Sequence, residues 1–376
     1  MKIAGIRLTP LEIPYRNPYH MQQGARTKAA LVLIEIETDT GLTGVGECMA
    51  IPNARFIQDI YEALRPLIIG ANPFEIERIW QQAYRQLMAL PASDMDRMAR
   101  LALAGLDFAL HDLMGKALNL PVYSVLGGAV HDDIRYFAFI DGETPEKVAA
   151  MGREYVEQGI EVFYLKLGRG EGLDIACTAA LRGAIGARRL RVDPNEAWDV
   201  HQAIRMIRML SPYDLEFVEQ PVSSHSMAAL QQVRQAVNVS IAADQSIHSP
   251  EDVFAYCQAR ACDVIVLGAH ETGGLRQLRK AAAVAETAGI RICLHGVPES
   301  GITTLAHHHA ALTIPNIDDG NQIMTRFLAY DLISAPDLSL GNGCLGLPEG
   351  PGLGLTIDPD NLASAAGTGE AALRSA

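Results

Sequence analysis

The sequence predicts an α/β fold: a closed barrel of parallel strands and helices with a smaller α+β segment ahead of it. Three observations carry this. From about residue 133 onward, short apolar runs alternate with amphipathic helical stretches, the pattern of parallel strands joined by helical crossovers. Seven or eight such units follow one another, which favours a closed (β/α) barrel over an open doubly wound sheet, since no switch point is visible. The length of 376 residues suits two domains, or one barrel with an attachment.

The elements follow in order. Residues 2–14 and 29–37 (AALVLIEIE) alternate or run apolar with β-branched residues and read as strands. DTGLTGVGE, residues 39–47, is turn chemistry between strands. Residues 55–68, 74–89 and 95–117 space apolar side chains by three and four and read as helices, the last with Asp94 as N-cap. The barrel strands are then 134–140, 161–167, 189–194, 215–221, 239–245, 262–268 and 291–296. Helices such as 175–186, 199–210, 226–236 and 274–288 lie between them. Residues 341–356 read as loop, and the small, polar residues 362–376 as a loosely held tail.

Composition narrows the function. A chain that is 49% hydrophobic and 20% charged is a soluble globular protein with a sizeable core. Thirty-one basic against 44 acidic residues leave a net charge of −13, which argues against nucleic-acid binding and a basic membrane anchor. No apolar run approaches the roughly 20 residues of a membrane span. MKIAGIRLTPLEIPY is not a signal peptide. Six scattered cysteines without a CxxC pair read as reduced thiols, and together these features point to the cytoplasm.

Lys166, Asp193, Glu219 and Asp244 fall near the C-terminal ends of successive predicted strands, 27, 26 and 25 residues apart. Each step is one strand–helix unit, and barrel active sites form at this end of the strands. Three carboxylates converging on one mouth repel one another unless a cation joins them. Three oxygen donors suit Mg²⁺, with Mn²⁺ also acceptable. Each residue alone has an ordinary explanation. An acid at a strand end usually caps a helix, Asp193-Pro194-Asn195 makes a turn, and Lys166 in FYLKLG snorkels or pairs with a carboxylate. The shared register favours metal ligands, with Lys166 as a general base whose pKa the metal and desolvation depress. Other motifs are weaker. GNGCLG (341–346) matches GxGxxG without the flanking strand and helix of a dinucleotide site. Gly168-Arg169-Gly170 reads as a βα loop rather than an anion cradle. His307, His308 and His309 fall on a helical pattern and point in different directions, so they make no metal site.

These residues resemble the enolase superfamily, in its muconate-lactonizing-enzyme and mandelate-racemase branch. GVGE (44–47) resembles a turn of the family's capping domain, and AGLDFALHDLMGKALNLPVYSVLGG (104–128) the helix leading into its barrel. RVDPNEAW (191–198), FVEQP (217–221) and AADQS (242–246) resemble the metal-binding strand ends, and PGLGL (351–355) the closing segment. The resemblance runs over nearly the whole chain. It implies a modified TIM-type (β/α)7β barrel over residues 129–339, with an α+β capping domain over 1–128 that is completed by part of about 340–376. It implies Asp193, Glu219 and Asp244 as ligands of a Mg²⁺ that holds a substrate carboxylate and stabilises the enediolate left when the α-proton departs. Lys166 matches the second Lys of a Lys-x-Lys motif, the base. Tyr164, Asn195, Gln245, Glu299 and His20 are the expected substrate contacts, the substrate is a small carboxylate, and the assembly a homo-oligomer.

Three departures bear on the reaction. Tyr164 replaces the first Lys of the motif, and Gln245 stands where the lactonizing branch has Glu. Gly268, in DVIVLGAHETGG, stands where that branch has a second catalytic Lys. The mandelate-racemase-like branch has an Asp there, paired with a His on the next strand, and neither that Lys nor that Asp stands at 268. His270 and His295 are the candidates to replace the missing acid/base, each with a hydrogen-bonded loop histidine as the alternative. A single base favours β-elimination (a dehydratase) or cycloisomerisation. The alternatives are a racemase or epimerase using Lys166 with His270 or His295, and a non-catalytic barrel that binds metal and carboxylate. Substrate-selecting loops are expected at residues 19–25 and 49–55, with Arg26 and Arg55 as anion contacts and Arg16 and Lys28 as surface charges.

Overall fold

Three strands open the chain: β1 (Ile3–Met21), β2 (Gly24–Thr38) and β3 (Thr43–Met49), antiparallel in the order β1-β2-β3. This is a computed structural model. It describes residues 1–21, 24–89 and 95–375, without the side chains of 19–25 and 372–375, so Asp94 and the His20 side chain lie outside the described residues. On β2, Val32, Ile34 and Ile36 pack into one apolar cluster and Leu31 and Leu33 into another. Burial on both faces explains why AALVLIEIE reads as a run rather than a clean alternation.

Helices α1 (Ala54–Ile68), α2 (Ile76–Leu87) and α3 (Asp96–Leu118) cover the first of these faces. The Asn53 side chain caps α1 by accepting from the Phe56 N–H. The expected turn at GVGE is instead the body of β3. A Cβ on Gly44 would lie 2.2 Å from the Ala109 carbonyl oxygen, and one on Gly46 2.0 Å from that of Gly105. The glycines therefore serve close packing of strand on helix, not a bend.

After the one-turn α4 (Val122–Val125), the stretch expected as one strand is two, β4 (Asp133–Arg135) and β5 (Ala138–Ile140). Strand and helix then alternate through α5 (Pro145–Glu157), β6 (Val162–Lys166), α6 (Glu171–Ile185), β7 (Arg189–Asp193) and α7 (Val200–Leu210). They continue through β8 (Leu215–Glu219), α8 (Met227–Ala236), β9 (Ser240–Ala243), α9 (Pro250–Ala259) and β10 (Val264–Val266). Two helices, α10 (Ala269–Thr272) and α11 (Leu275–Thr287), precede β11 (Arg291–Cys293), and α12 (Gly301–Ala311) follows it. The seven strands β5 to β11 lie parallel in chain order. Residues 317–321 close the ring through two isolated bridges, Ile317 to Ile292 on one side and Asn321 to Tyr136 on the other. The result is a modified TIM barrel.

Two short pairs follow, β12 (Ile333–Ala335) with β14 (Thr356–Ile357) and β13 (Cys344–Gly346) with β4. The tail is not loose. Residues Pro359–Ser375 form α13, with Ala365 fully buried. A Cβ on Gly369 would lie 2.4 Å from the Pro10 carbonyl oxygen, so the small residues bring α13 close against β1. No helix among the described residues is long and apolar enough to cross a membrane. The six cysteines are free, four of them buried.

Glu47, near the end of β3, ties sheet to barrel. It accepts from the Ser300 N–H at 2.9 Å, the Ser300 hydroxyl at 2.5 Å and the Thr303 hydroxyl at 2.8 Å, at the start of α12. Burial pushes its carboxyl up from 4.5 to about 7, against the three donors that lower it. An acid that keeps its proton in the fold but loses it unfolded stabilises the fold at low pH. That stabilisation is lost as pH rises from 4.5 towards about 7. Over the window it amounts to about 3 kcal/mol. Melting curves of wild type and Glu47→Gln across this range should therefore converge on the acid side, with wild type losing stability relative to the variant as pH rises. A constant difference would refute the assignment.

Candidate active site at the barrel mouth

Parallel strands of matched register bring four side chains to one rim. Lys166, Asp193 and Glu219 end β6, β7 and β8, and Asp244 directly follows β9. The three carboxylates are at most 1% exposed. Lys166 pairs with Asp193, and its Nζ lies 5.8 Å from the Phe139 ring centre and 5.6 Å from that of Tyr164. The Tyr164 hydroxyl takes part in the same group, 2.5 Å from Asp193 Oδ2 and 2.7 Å from Glu219 Oε1. Burial, then the charges of Asp193 and Asp244, push Glu219 well above the usual carboxylate range. Burial likewise raises Asp244 to about 6, with His295 opposing. Burial and mutual repulsion thus oppose the charged forms of Glu219 and Asp244, and an added cation would relieve both.

The backbone presents these groups. Asn195, 8% exposed, adopts φ 52°, and its N–H donates to Asp193 Oδ1 at 2.6 Å. Gln220, which the sequence reading passed over, is fully buried, and its Oε1 accepts from the Asp244 N–H and the Ser246 hydroxyl, both at 2.9 Å. Neither carboxylate oxygen of Asp244 accepts a hydrogen bond. Oδ2 has no partner and Oδ1 only an ion-pair contact with His295 at 3.2 Å, and such buried oxygens beside two further carboxylates fit a hard divalent cation. Gln245 presents its carbonyl to Arg97 while its side-chain Oε1 is buried without a partner. Tyr164→Phe should weaken Mg²⁺ binding by about 10- to 100-fold, the range for removing a group that orients metal ligands. Titration calorimetry reads this directly, and unchanged affinity would mean the hydroxyl does not position Asp193 and Glu219.

The Gly268 position is filled from elsewhere. The β10 strand ends at Val266, so His270 does not continue it. The chain turns through α10, and His270 swings back until a Cβ on Gly268 would sit 2.3 Å from its imidazole Cε1. His270 is 2% exposed, lies 3.3 Å from His307 Nε2, and is pushed well below its usual pKa by burial. His295, with its side chain 18% exposed, directs Nδ1 to Glu271 Oε2 at 3.0 Å and to Asp244 Oδ1 at 3.2 Å. Burial opposes its charge, but the carboxylates outweigh burial and hold the imidazolium up to about 10. Glu271, 2% exposed, also pairs with Arg97 of α3 at 3.2 Å. The structure thus pairs His295 with a carboxylate, from a Glu three residues beyond Gly268. The only local signal was the Glu in AHET, the third residue of a one-turn helix.

Glu299 is 1% exposed, accepts from the Thr304 hydroxyl at 3.0 Å, and is pushed up to about 8 by burial. His270, Glu299 and His307 form a buried cluster with ligand atoms within 4.8 Å of one another, as do His270, Glu271 and His295. The histidine run diverges. His307 faces His270, His308 faces Tyr136 and the Gly346 carbonyl, and His309 faces the Tyr123 N–H and the Leu353 carbonyl. The Gly168 and Arg169 amides are taken by the Asp174 carboxylate, each at 3.1 Å. Arg55 pairs with Asp59, Lys28 with Glu12, and Arg16 donates to the Leu328 carbonyl.

A barrel whose strand ends gather three buried carboxylates and a lysine, beside an α+β segment, defines a class of enzymes that abstract protons next to carboxylates. Residues 4–127 match the family described as mandelate racemase / muconate lactonizing enzyme, N-terminal domain, and residues 147–361 match enolase C-terminal domain-like. The L-Lys-D/L-Arg epimerase of Methylococcus capsulatus is 31% identical over 96% of this chain and 100% of its own. Muconate cycloisomerase 1 of Rhodococcus opacus is 29% identical over 96% of this chain and 97% of its own. The crystal structure of the Enterococcus faecalis dipeptide epimerase, complexed with Mg and the dipeptide L-Leu-L-Tyr, superposes with a TM-score of 0.86. It shares 30% identity and covers 95% of this chain and 100% of that one. The chain belongs to the enolase superfamily, in its mandelate racemase / muconate lactonizing enzyme group, and is an enzyme of that family's proton-abstracting chemistry.

Proposed function

We propose that the chain is a Mg²⁺-dependent racemase or epimerase that moves the α-proton of a small carboxylate, an amino-acid derivative, between Lys166 and His295. The observation that supports this is the His295–Glu271 pair across the ring from Lys166. Lys166 ends the second strand of the ring and His295 follows the seventh, so the two approach a centrally held substrate from different sides. Asp193, Glu219 and Asp244 hold the metal, Mg²⁺ or Mn²⁺. Bound there, it would hold the substrate carboxylate and supply positive charge against the negative charge that grows as the α-proton leaves. Lys166 takes or returns the proton on one face. Glu271 fixes the imidazole through Nδ1, and Nε2, which makes no hydrogen bond among the described residues, handles the proton on the other face.

His270 receives no proton-transfer role, because it is shut behind Gly268. The expectation of β-elimination or cycloisomerisation rested on an empty face at Gly268, which in this proposal is served by His295. Cycloisomerisation is the second reading, favoured by the likeness to muconate cycloisomerase 1 and needing Lys166 alone. In this reading residues 1–128 with about 340–376 form a cap over the 129–339 barrel, and the protein works in the cytoplasm as a homo-oligomer. The test is proton NMR in D₂O with Mg²⁺ over dipeptides, N-acyl amino acids, α-hydroxy acids and muconolactones. Deuterium entering the α-position with inversion and an intact skeleton supports the proposal. A new 2-keto acid or an opened lactone without α-exchange overturns it.

A further inference from the structure

A cavity of about 1110 Å³ adjoins the mouth, between the β5–α5 unit, residues 323–328 and the segment 331–340. Several charged groups on its wall have partners. Lys147 meets Glu143 at 2.8 Å, Arg16 donates to the Leu328 carbonyl at 2.7 Å, and Asp331 accepts from the Gly301 and Leu332 N–H groups. Arg326 differs. All three of its guanidinium nitrogens are buried and none has a hydrogen-bond partner. The guanidinium carbon lies 5.1 Å from the Tyr155 ring centre and 5.4 Å from that of Phe327. Five donors kept from water with nothing to receive them are costly, and such groups normally have an anion. The cavity also shares a wall with the catalytic lysine. Phe327 packs edge-on against Phe139 at 5.4 Å, and Phe139 is the ring beside Lys166 Nζ.

We propose that this cavity is a carboxylate-binding subsite whose anchor is Arg326. A planar fork clamped between two rings suits a planar, bidentate acceptor. Asp141, Glu143 and Glu154 also line the cavity, which favours a singly charged carboxylate over a dianionic phosphate. The carboxylate comes either from the far end of the substrate, which rests on the proposed function and makes that substrate a dicarboxylate, or from a separate small acid.

Calorimetry with succinate, glutarate, adipate and pimelate, each against its monocarboxylate of equal length, tests this in wild type, Arg326→Gln and Arg326→Lys. Wild type should prefer at least one dicarboxylate by about tenfold or more. Arg326→Gln should erase that preference and Arg326→Lys retain part of it, with circular dichroism confirming the folds. Were the Gln variant unfolded, a weakened preference in the Lys variant would carry the same information. A preference that disappears with EDTA places one ligand across mouth and cavity. One that survives EDTA places a separate acid at Arg326. Unchanged preference in both variants, or no carboxylate binding to wild type, overturns the proposal. Failure of the α-proton exchange assay would instead sink the functional reading and leave a metal-independent Arg326 result standing.

Discussion

Replacing Lys166 with Met will abolish α-proton exchange from one enantiomer of the substrate while the protein stays folded and still takes up Mg²⁺. The apolar stem is kept, and what is lost is the nitrogen with its contacts to the Phe139 and Tyr164 rings. A positioned general base contributes about 10²- to 10⁴-fold, so the rate from that face should fall by at least about a hundredfold. Asp193 loses its ion-pair partner in the same change. A buried carboxylate without its counter-ion attracts a divalent cation more strongly, so Mg²⁺ affinity should hold or rise. Stopped-quench exchange in D₂O and calorimetry with Mg²⁺ read the two halves separately. Wild-type exchange from both enantiomers would remove Lys166 from the chemistry. Loss of metal binding together with exchange would make it a structural partner of Asp193 instead.

The carboxylate half of this site was legible in sequence because it depends on strand periodicity. Asp193, Glu219 and Asp244 recur at the interval of one strand–helix unit, and parallel register carries them to the same rim without further information. On the opposite side His295 was named but its pairing with Glu271 was not legible, because it depends on where a strand stops. β10 ends two residues before Gly268, and a single helical turn then reverses His270 and brings Glu271 to His295, 24 residues away. No local pattern encodes that meeting. Gln220 was missed for a related reason. It adopts φ 31° just after Glu219, so its side chain reaches Asp244 by backbone geometry that composition does not reveal. The tail failed in the other direction. ASAAGTGEAA lacks an apolar stripe, yet small residues permit close contact with β1, and packing outweighs weak helical propensity.

The asymmetry between the two faces gives the most discriminating experiment. His295→Asn should suppress exchange from the enantiomer opposite to the one that Lys166→Met silences, by about 10²-fold or more, and leave exchange on the Lys166 face intact. Each variant then washes deuterium into a single enantiomer and neither racemises, because proton return on the far face has no donor. Glu271→Gln should fall between wild type and His295→Asn. It keeps the shape of the pair but removes the charge that orients the imidazole and stabilises its protonated form. A cycloisomerase using Lys166 alone predicts something different: His295→Asn would leave turnover near wild type, and Lys166→Met would remove all of it. His295 also lies against Asp244, so Mg²⁺ affinity must be measured in the same samples. If the variant loses metal and both exchanges together, His295 supports the metal site rather than donating a proton, and the two-base reading fails while family membership stands.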